Sequence, residues 1–360
     1  MKNKFLTFIL LATVFSFVSC GDDNNLPSEP IKVVIEGATV APEVGGPNEP
    51  NQVYVDLSTN TSTVVRRDSW DLGFYSGNEF RVVINGSIAM ATGELTATDI
   101  DAVSSSDQEV QDLQPLVSIG VPGSNSYVDS PNGSVAETAI KEVSDIDSEN
   151  HVYIVNLGYK VGIETPTTGS TIINGEARGW KKIKILKDGG NYVLQYADLD
   201  ATTHEEFVIT KNEDYHFTFF SFNTGVQVNV QPEKTEWDLN FTVSNKILDF
   251  GGGTLGAYSF SDFVINNTLS NVGVYLIDTE VEDLTYESFT LDNVVDTNFV
   301  YNDQTIIGSS WRDVFSGQVN SNVFYIITDT DGNLYKLQFL ALTNENGERG
   351  YPQFVYSLLK

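Results

Sequence analysis

The sequence predicts a mostly β protein: two tandem β-rich domains with few short helices. Two observations carry that prediction. Polar and apolar residues alternate at period two, as in Lys182-Ile183-Lys184-Ile185 and Val226-Gln227-Val228-Asn229-Val230, which is the spacing of strands with one wet face. A set of landmarks also occurs twice, for Trp70-Asp71-Leu72-Gly73-Phe74 returns as Trp237-Asp238-Leu239-Asn240-Phe241.

Each Trp-Asp pair follows strand-like stretches, Val53 to Leu57 in the first case, Phe217 to Phe222 and Val226 to Val230 in the second. Further on, His151-Val152-Tyr153-Ile154-Val155 answers to Asn322-Val323-Phe324-Tyr325-Ile326-Ile327. The closing hairpins are matched as Asp188-Gly189-Gly190-Asn191 leading into Leu194, and Asp331-Gly332-Asn333 leading into Leu337. Asp-Gly pairs supply the positive-φ residues that tight hairpins need. Trp70 to Tyr153 spans 83 residues and Trp237 to Tyr325 spans 88, but Tyr153 to Leu194 spans 41 against 12 from Tyr325 to Leu337. The surplus falls at 157–179, a Gly/Thr/Pro-containing stretch that would lengthen a hairpin. Two long copies mean tandem domains and not a solenoid, placed at 31–211 and 212–360. Helical patterns are short and confined to the neighbourhoods of 96–113 and 280–290.

The first residues carry an address. Lys2 and Lys4 precede an apolar run of 14 residues, Phe5 to Val18, shorter than the roughly 20 residues a spanning helix needs but suited to a signal peptide. The run ends in Ser19-Cys20, a small residue directly before the only cysteine of the chain. A secreted domain that used disulfides would carry an even set, so the lone thiol marks a lipidation site. Residues 1–20 are therefore assigned as a lipoprotein signal peptide and 21–30 as a polar tether. The body would hang from the outer membrane by Cys20 alone, exposed at the cell surface. The acidic Asp22-Asp23 behind the cysteine resembles a surface-export signal.

The chain has a net charge of −29, and removal of Lys2 and Lys4 leaves 18 basic and 49 acidic residues, a net −31. Such a surface repels nucleic acid and anionic head groups. With 41% hydrophobic residues, 21 Phe and 16 Tyr, the chain can still bury real cores.

Enzyme signatures are missing. His151, His204 and His216 have no metal-ligand spacing, and His204-Glu205-Glu206 lacks the second histidine of a zinc protease. No nucleophile elbow is present. Gly251 to Gly256 lacks the Lys-Ser/Thr ending of a phosphate cradle and runs into strand-like Ala257-Tyr258-Ser259-Phe260, so it is assigned as a loop. Asp329-Thr330-Asp331-Gly332-Asn333 lacks the closing glutamate of a calcium loop and fits a turn. Trp70, Trp180, Trp237 and Trp311 adjoin alternating strands and are assigned to packing.

Trp237-Asp238-Leu239, the Gly-rich 251–256 segment, Val323-Phe324-Tyr325, Asp331-Gly332-Asn333 and the 351–358 strand stand in the order found in the HmuY family of Bacteroidota haem-binding lipoproteins. The chain resembles that family in two tandem copies. The resemblance implies a hand-shaped β fold that grips haem and passes it to an outer-membrane receptor or transporter in haem and iron acquisition. It also implies two axial ligands from loops, usually histidines and in some relatives methionine. The matching places here are Trp311 to Ser316-Gly317 and Pro131-Asn132-Gly133-Ser134, and neither holds a histidine. His151, at a strand edge, and Met90, the one methionine after the signal, remain as candidate cofactor ligands, though the family pattern places neither. Tyr258, Tyr275 and Tyr301 are further residue types able to meet ferric iron. The expectation is an HmuY-type haem binder without the usual axial pair. The alternatives are a surface binding module for a glycan or peptide, or an accessory lipoprotein of a transporter.

Overall fold

Twenty-two strands dominate residues 34–360, the part of the chain that the computed structural model describes. Cys20, the signal peptide and the tether lie outside the described residues. In chain order the strands are β1 (Gly37–Val40), β2 (Asn51–Asp56), β3 (Thr61–Arg66), β4 (Leu72–Tyr75), β5 (Val82–Ile84), β6 (Ala91–Glu94), β7 (Tyr153–Asn156), β8 (Tyr159–Val161), β9 (Asn174–Ala177), β10 (Trp180–Asp188), β11 (Asn191–Asp198) and β12 (Glu205–Ile209). The second part adds β13 (Phe217–Ser221), β14 (Val226–Val228), β15 (Leu239–Asp249), β16 (Leu255–Asn266), β17 (Val274–Asp278), β18 (Arg312–Asp313), β19 (Gln318–Val319), β20 (Val323–Thr328), β21 (Leu334–Thr343) and β22 (Arg349–Leu358). Among the described residues the one α-helix is α1, Gln108–Leu113, and no helix is long and apolar enough to cross a membrane.

Two five-stranded sheets, β12-β11-β10-β7-β6 and β1-β22-β21-β20-β17, are built alike. Two four-stranded sheets, β14-β13-β4-β5 and β3-β2-β15-β16, are also built alike. Strand pairing crosses the midpoint of the sequence in both of the smaller sheets. The first copy's β2–β3 hairpin lies on the second copy's Trp-Asp strand, with Val55 opposite Leu239. The second copy's β13–β14 hairpin lies on the first copy's Trp-Asp strand, with Phe220 opposite Leu72. The two copies thus exchange their leading hairpins.

The exchange follows from side chains that the repeat conserves within this one sequence. Asp71 accepts the Phe222 N–H at 2.6 Å, and Asp238 accepts the Leu57 N–H at 2.8 Å. Trp70 meets Phe219 edge-on at 4.8 Å, and Trp237 meets Tyr54 edge-on at 5.1 Å. Each exchanged hairpin is therefore gripped by one hydrogen bond to a buried aspartate and one T-shaped aromatic pair, the latter worth about 0.5–1.5 kcal/mol beyond its burial.

Each pair of sheets closes over its own core. Leu72, Phe74, Tyr153, Ile183, Leu194 and Phe220 fill the first lobe. Val55, Leu239, Phe241, Tyr325, Leu337 and Phe354 fill the second, where Phe241 stacks on Phe354 at 5.4 Å. Trp311 is fully buried there, stacked on Phe339 at 4.2 Å, which is the packing role its sequence context predicts. Both lobes belong to one compact unit, Val34–Lys360.

The structure corrects the matching of the closing hairpins, the helical pattern near 280–290 and the wet face given to Lys182. Register places Ile183, not Leu194, opposite Tyr153, as Leu337 lies opposite Tyr325. The Asp188–Asn191 turn joins β10 to β11, so its counterpart is the 344–348 turn between β21 and β22, while Asp331–Asn333 joins β20 to β21. Residues 157–179, between β7 and β10, form an arm containing the paired β8 and β9. Residues 280–290 hold turns and no helix, because Thr285 and Ser288 hydroxyls bond each other's backbone N–H groups and compete with helical bonding. Lys182 does not face water either. It is fully buried and its ammonium donates to the carbonyls of Val103, at 2.5 Å, and Ala201, at 2.7 Å, since a further apolar cluster around Val110 and Val152 covers that face of the sheet.

The arm is locked to the body by buried polar groups. Arg67 is fully buried and donates to the carbonyls of Glu49 and Ser87, each at 2.6 Å, and of Ile173 on the arm. Asn48 donates to the Ile172 carbonyl at 2.8 Å. Such fully bonded networks fix geometry at the cost of desolvation.

Candidate ligand cavity between the Trp-Asp strands

The two Trp-Asp strands and the hairpins they exchange enclose a cavity of about 180 Å³ between the lobes. Trp70, Asn85, Met90 and Phe219 line it from one side, and Gln52, Tyr54, Trp237 and Asn240 from the other. The walls are held by equivalent devices. The Asn85 amide donates to the carbonyls of Arg67 and Trp70 at 2.7 and 2.9 Å, and the Asn267 amide donates to those of Lys234 and Trp237, both at 2.9 Å. Each asparagine opens a short 3₁₀ turn that ends in a left-handed residue, Ala89 with φ 61° or Asn271 with φ 60°. Met90 and Val272 follow at the same step of the two copies.

The lining is polar in an unusual way. Gln52 Nε2, Trp70 Nε1, Trp237 Nε1, Asn240 Oδ1 and Asn266 Oδ1 are buried and have no hydrogen-bond partner within the protein. Leaving a buried donor or acceptor unpaired costs about 1–3 kcal/mol, and five such groups belong to residues around one space, which makes that space the candidate ligand seat.

Only two ionisable groups besides Tyr54 line the cavity. Asp129 accepts the N–H groups of Ile84 and Ala139 at 2.8 and 2.9 Å, and burial pushes its carboxyl up to about 7. His216 sits 2.8 Å from Ser270 Oγ through Nε2. Burial, and then the Lys234 charge, hold its imidazole down at about 4, so the ring is neutral at physiological pH.

The sequence-derived candidates divide between this cavity and other places. Met90 is fully buried and lines the cavity, as do Pro131, Gly133 and Ser134. His151 lies elsewhere, its Nδ1 3.2 Å from Glu94 Oε1 beside a smaller pocket. His204 pairs with Asp101 at 2.9 Å. Ser316 and Gly317 belong to the turn between β18 and β19, next to Phe315, which is 98% exposed. Tyr258 and Tyr301 are exposed and Tyr275 packs on Phe299, and none of the three lines the cavity. The Gly-rich loop is a hairpin turn whose Gly251 and Gly253 N–H groups donate to Asp249, at 2.8 and 3.1 Å, so the chain's own carboxylate fills it. The Asp329 carboxylate likewise closes its own turn on the Asp331 and Asn333 N–H groups, at 3.0 and 2.7 Å.

The sequence does not single out Gln52, Asn240 and Asn266, and His216 stands out there only as lacking metal-ligand spacing. The available signal was slight: three are polar residues within strands, and His216 directly precedes one.

A family model described as HmuY protein matches residues 48–213 and, a second time, residues 212–356. The chain belongs to the HmuY family. No curated protein and no solved structure matches it. The two HmuY matches mark the sequence repeat, whereas the sheets of this HmuY chain are assembled across it. Membership makes it, at the level of the family, a binding protein of the haem-binding type.

The cavity does not fit a haem held by paired histidines. Its 180 Å³ is close to the roughly 150 Å³ that accepts one benzene, well below the ~300–1,000 Å³ of drug-sized sites. His216 is the one histidine on its wall, and the cavity offers no arginine or lysine for the carboxylates of a porphyrin.

Proposed function

We propose that this HmuY protein is a lipid-anchored capture protein of the cell surface, acting in haem and iron acquisition without an axial histidine pair. The observation that carries this proposal is the double match to one binding family of the haem-binding type. An outer-membrane receptor or transporter would take the captured ligand. Catalysis forms no part of the role.

A visible absorption titration of the full chain with haemin tests it. Binding is expected through apolar contact, with a broadened Soret band, no six-coordinate bis-histidine spectrum, and little change in His151→Ala. A sharp low-spin spectrum that disappears in His151→Ala would overturn the mechanism. Absence of any Soret change would overturn haem as the ligand.

A second reading keeps the cavity as the ligand seat but assigns it another ligand. It is favoured by the small volume and by the unpaired amides and indoles on the wall.

A further inference from the structure

We propose that the cavity between the lobes binds one neutral, hydroxyl-bearing ring of monosaccharide size, gripped between the two Trp-Asp strands. The proposal rests on the second reading above, that this cavity is the ligand seat for something other than haem.

Size sets the first limit. A space of about 180 Å³ takes a single six-membered ring with its substituents, on the scale of the ~150 Å³ cavity that holds benzene. A benzene-like ligand, however, would leave the wall's polar atoms unpaired. Gln52 Nε2 and the indole N–H groups of Trp70 and Trp237 are donors, and Asn240 Oδ1 and Asn266 Oδ1 are acceptors. The five residues are at most 9% exposed. An indole nitrogen is only a donor, and its role does not depend on how an amide is turned. A ligand that satisfies both kinds of group must donate and accept around its rim. Hydroxyl groups do both.

Charge sets the second limit. No lysine or arginine lines the space, and both oxygens of Asp129 are already taken by backbone N–H groups. An anionic ligand would enter without a counter-charge, against a chain of net −29. A cation would find one carboxyl only, that of Asp129, whose two oxygens each already accept a backbone N–H. Neutral ligands bear neither penalty. The aromatic walls (Tyr54, Trp70, Phe219 and Trp237) supply flat apolar surface for the ring faces. Tyr and Trp characteristically present an apolar body and a polar tip.

Free sugars and the end unit of a glycan share this chemistry. The test therefore uses neutral hexoses and pentoses, their methyl glycosides, a hexuronate and short neutral oligosaccharides. Ligand-observed saturation-transfer NMR and tryptophan fluorescence would be recorded on the detergent-solubilised full chain. At least one neutral sugar should give saturable transfer and a fluorescence change, with the hexuronate weaker by about tenfold or more. Binding to a methyl glycoside or oligosaccharide identifies a glycan end, and binding restricted to the reducing sugar identifies the free form. Trp70→Phe and Trp237→Phe, which keep a ring and remove the indole N–H, should each weaken binding by about tenfold, the loss expected for one buried hydrogen bond. Should either variant fold poorly, Gln52→Leu removes a third unpaired donor and should weaken binding likewise. Haemin titrated in parallel separates the two ideas. Sugar binding without a Soret change supports this inference and overturns haem as the ligand. A Soret change with no sugar bound overturns this inference alone. Sugar binding unaltered in all three variants also overturns it, because the site would then lie elsewhere.

Discussion

Asp71 and Asp238 hold the same position in the two copies, yet only Asp71 faces an arginine, with Arg178 Nη1 2.6 Å from its Oδ1. Each accepts one N–H from the hairpin it receives, Phe222 on Asp71 and Leu57 on Asp238. Around Asp238 the neighbours are acids instead. Burial, with Asp329 and Asp56 adding to it, pushes its carboxyl up to about 7. One interface is closed by a buried ion pair and the other by a carboxyl that keeps its proton to higher pH than an ordinary aspartate.

The raised carboxyls make stability depend on pH. Asp238 and Asp129 both rise to about 7 in the folded chain, from about 3.9 when unfolded. A folded-state value above the unfolded one stabilises at low pH, and that contribution is lost as pH rises from about 4 through 7. His216, held down at about 4, acts the opposite way below about 6.5, because only the unfolded chain takes the proton. Each pH unit of displacement is worth about 1.4 kcal/mol, so two acids outweigh one histidine. Thermal melts should show a midpoint that falls between pH 5 and pH 8. A midpoint that climbs over this range would contradict the assignment.

Removing Arg178 should be costly. The side chains of Asp71 and Arg178 are 0% and 6% exposed, and stripping one partner from a buried pair costs roughly 3–5 kcal/mol. Arg178→Ala should lower the urea midpoint accordingly, and Arg178→Lys, which keeps a charge but loses the fork that also reaches Asn223, should fall between. An unchanged midpoint in Arg178→Ala would show that the pair is dispensable.

Separate folding of 31–211 and 212–360 does not follow from the pairing, because each half holds a hairpin that belongs on the other's Trp-Asp strand. Produced as two chains broken between residues 211 and 212, the halves should co-purify as a one-to-one complex and regain the melting transition of the intact chain. Each alone should be poorly soluble, having an unpaired strand edge. Two folded monomers that ignore each other would count against the exchanged arrangement.

A lipid anchor at Cys20 is proposed from Ser19-Cys20 closing a short apolar run. Cys20→Ala should move the protein out of the membrane fraction. Retention of the variant on membranes after a carbonate wash would place the attachment elsewhere.

Strand identity was legible in the sequence because alternation and Asp-Gly turns are local signals, and the repeat was legible because Trp70 and Trp237 stand in matching contexts. Partner choice was not. A strand such as Asn51–Asp56 carries the same alternation whichever Trp-Asp strand it meets, so period two fixes its faces and not its neighbour. The same limit misplaced the closing hairpins: an Asp-Gly turn shows that two strands join, not where they stand in the sheet. Part of the candidate cavity was visible, since Pro131, Gly133, Ser134 and Met90 do line it. Gln52, Asn240 and Asn266 were not, because a polar side chain in a strand ordinarily faces water. The β15–β16 pair sets Asn240 and Asn266 side by side, and only the exchanged β2–β3 hairpin brings Gln52 to the same wall.

The Tyr356 hydroxyl bonds the Leu57 carbonyl, at 2.7 Å, across 299 residues of chain, and β1 completes the sheet that β22 extends. Loop-closure entropy grows only slowly with length, about 0.6 kcal/mol per doubling, so the burden of such distant pairing falls on folding speed. Strands β4 to β14 form an uninterrupted stretch whose two sheets can close early. The leading strands emerge first and must wait for distant partners, β1 for β22 near the C-terminus and the β2–β3 hairpin for β15. As the chain is made, the earliest part of the body to appear is therefore the last to be protected, and aggregation is most dangerous in that interval.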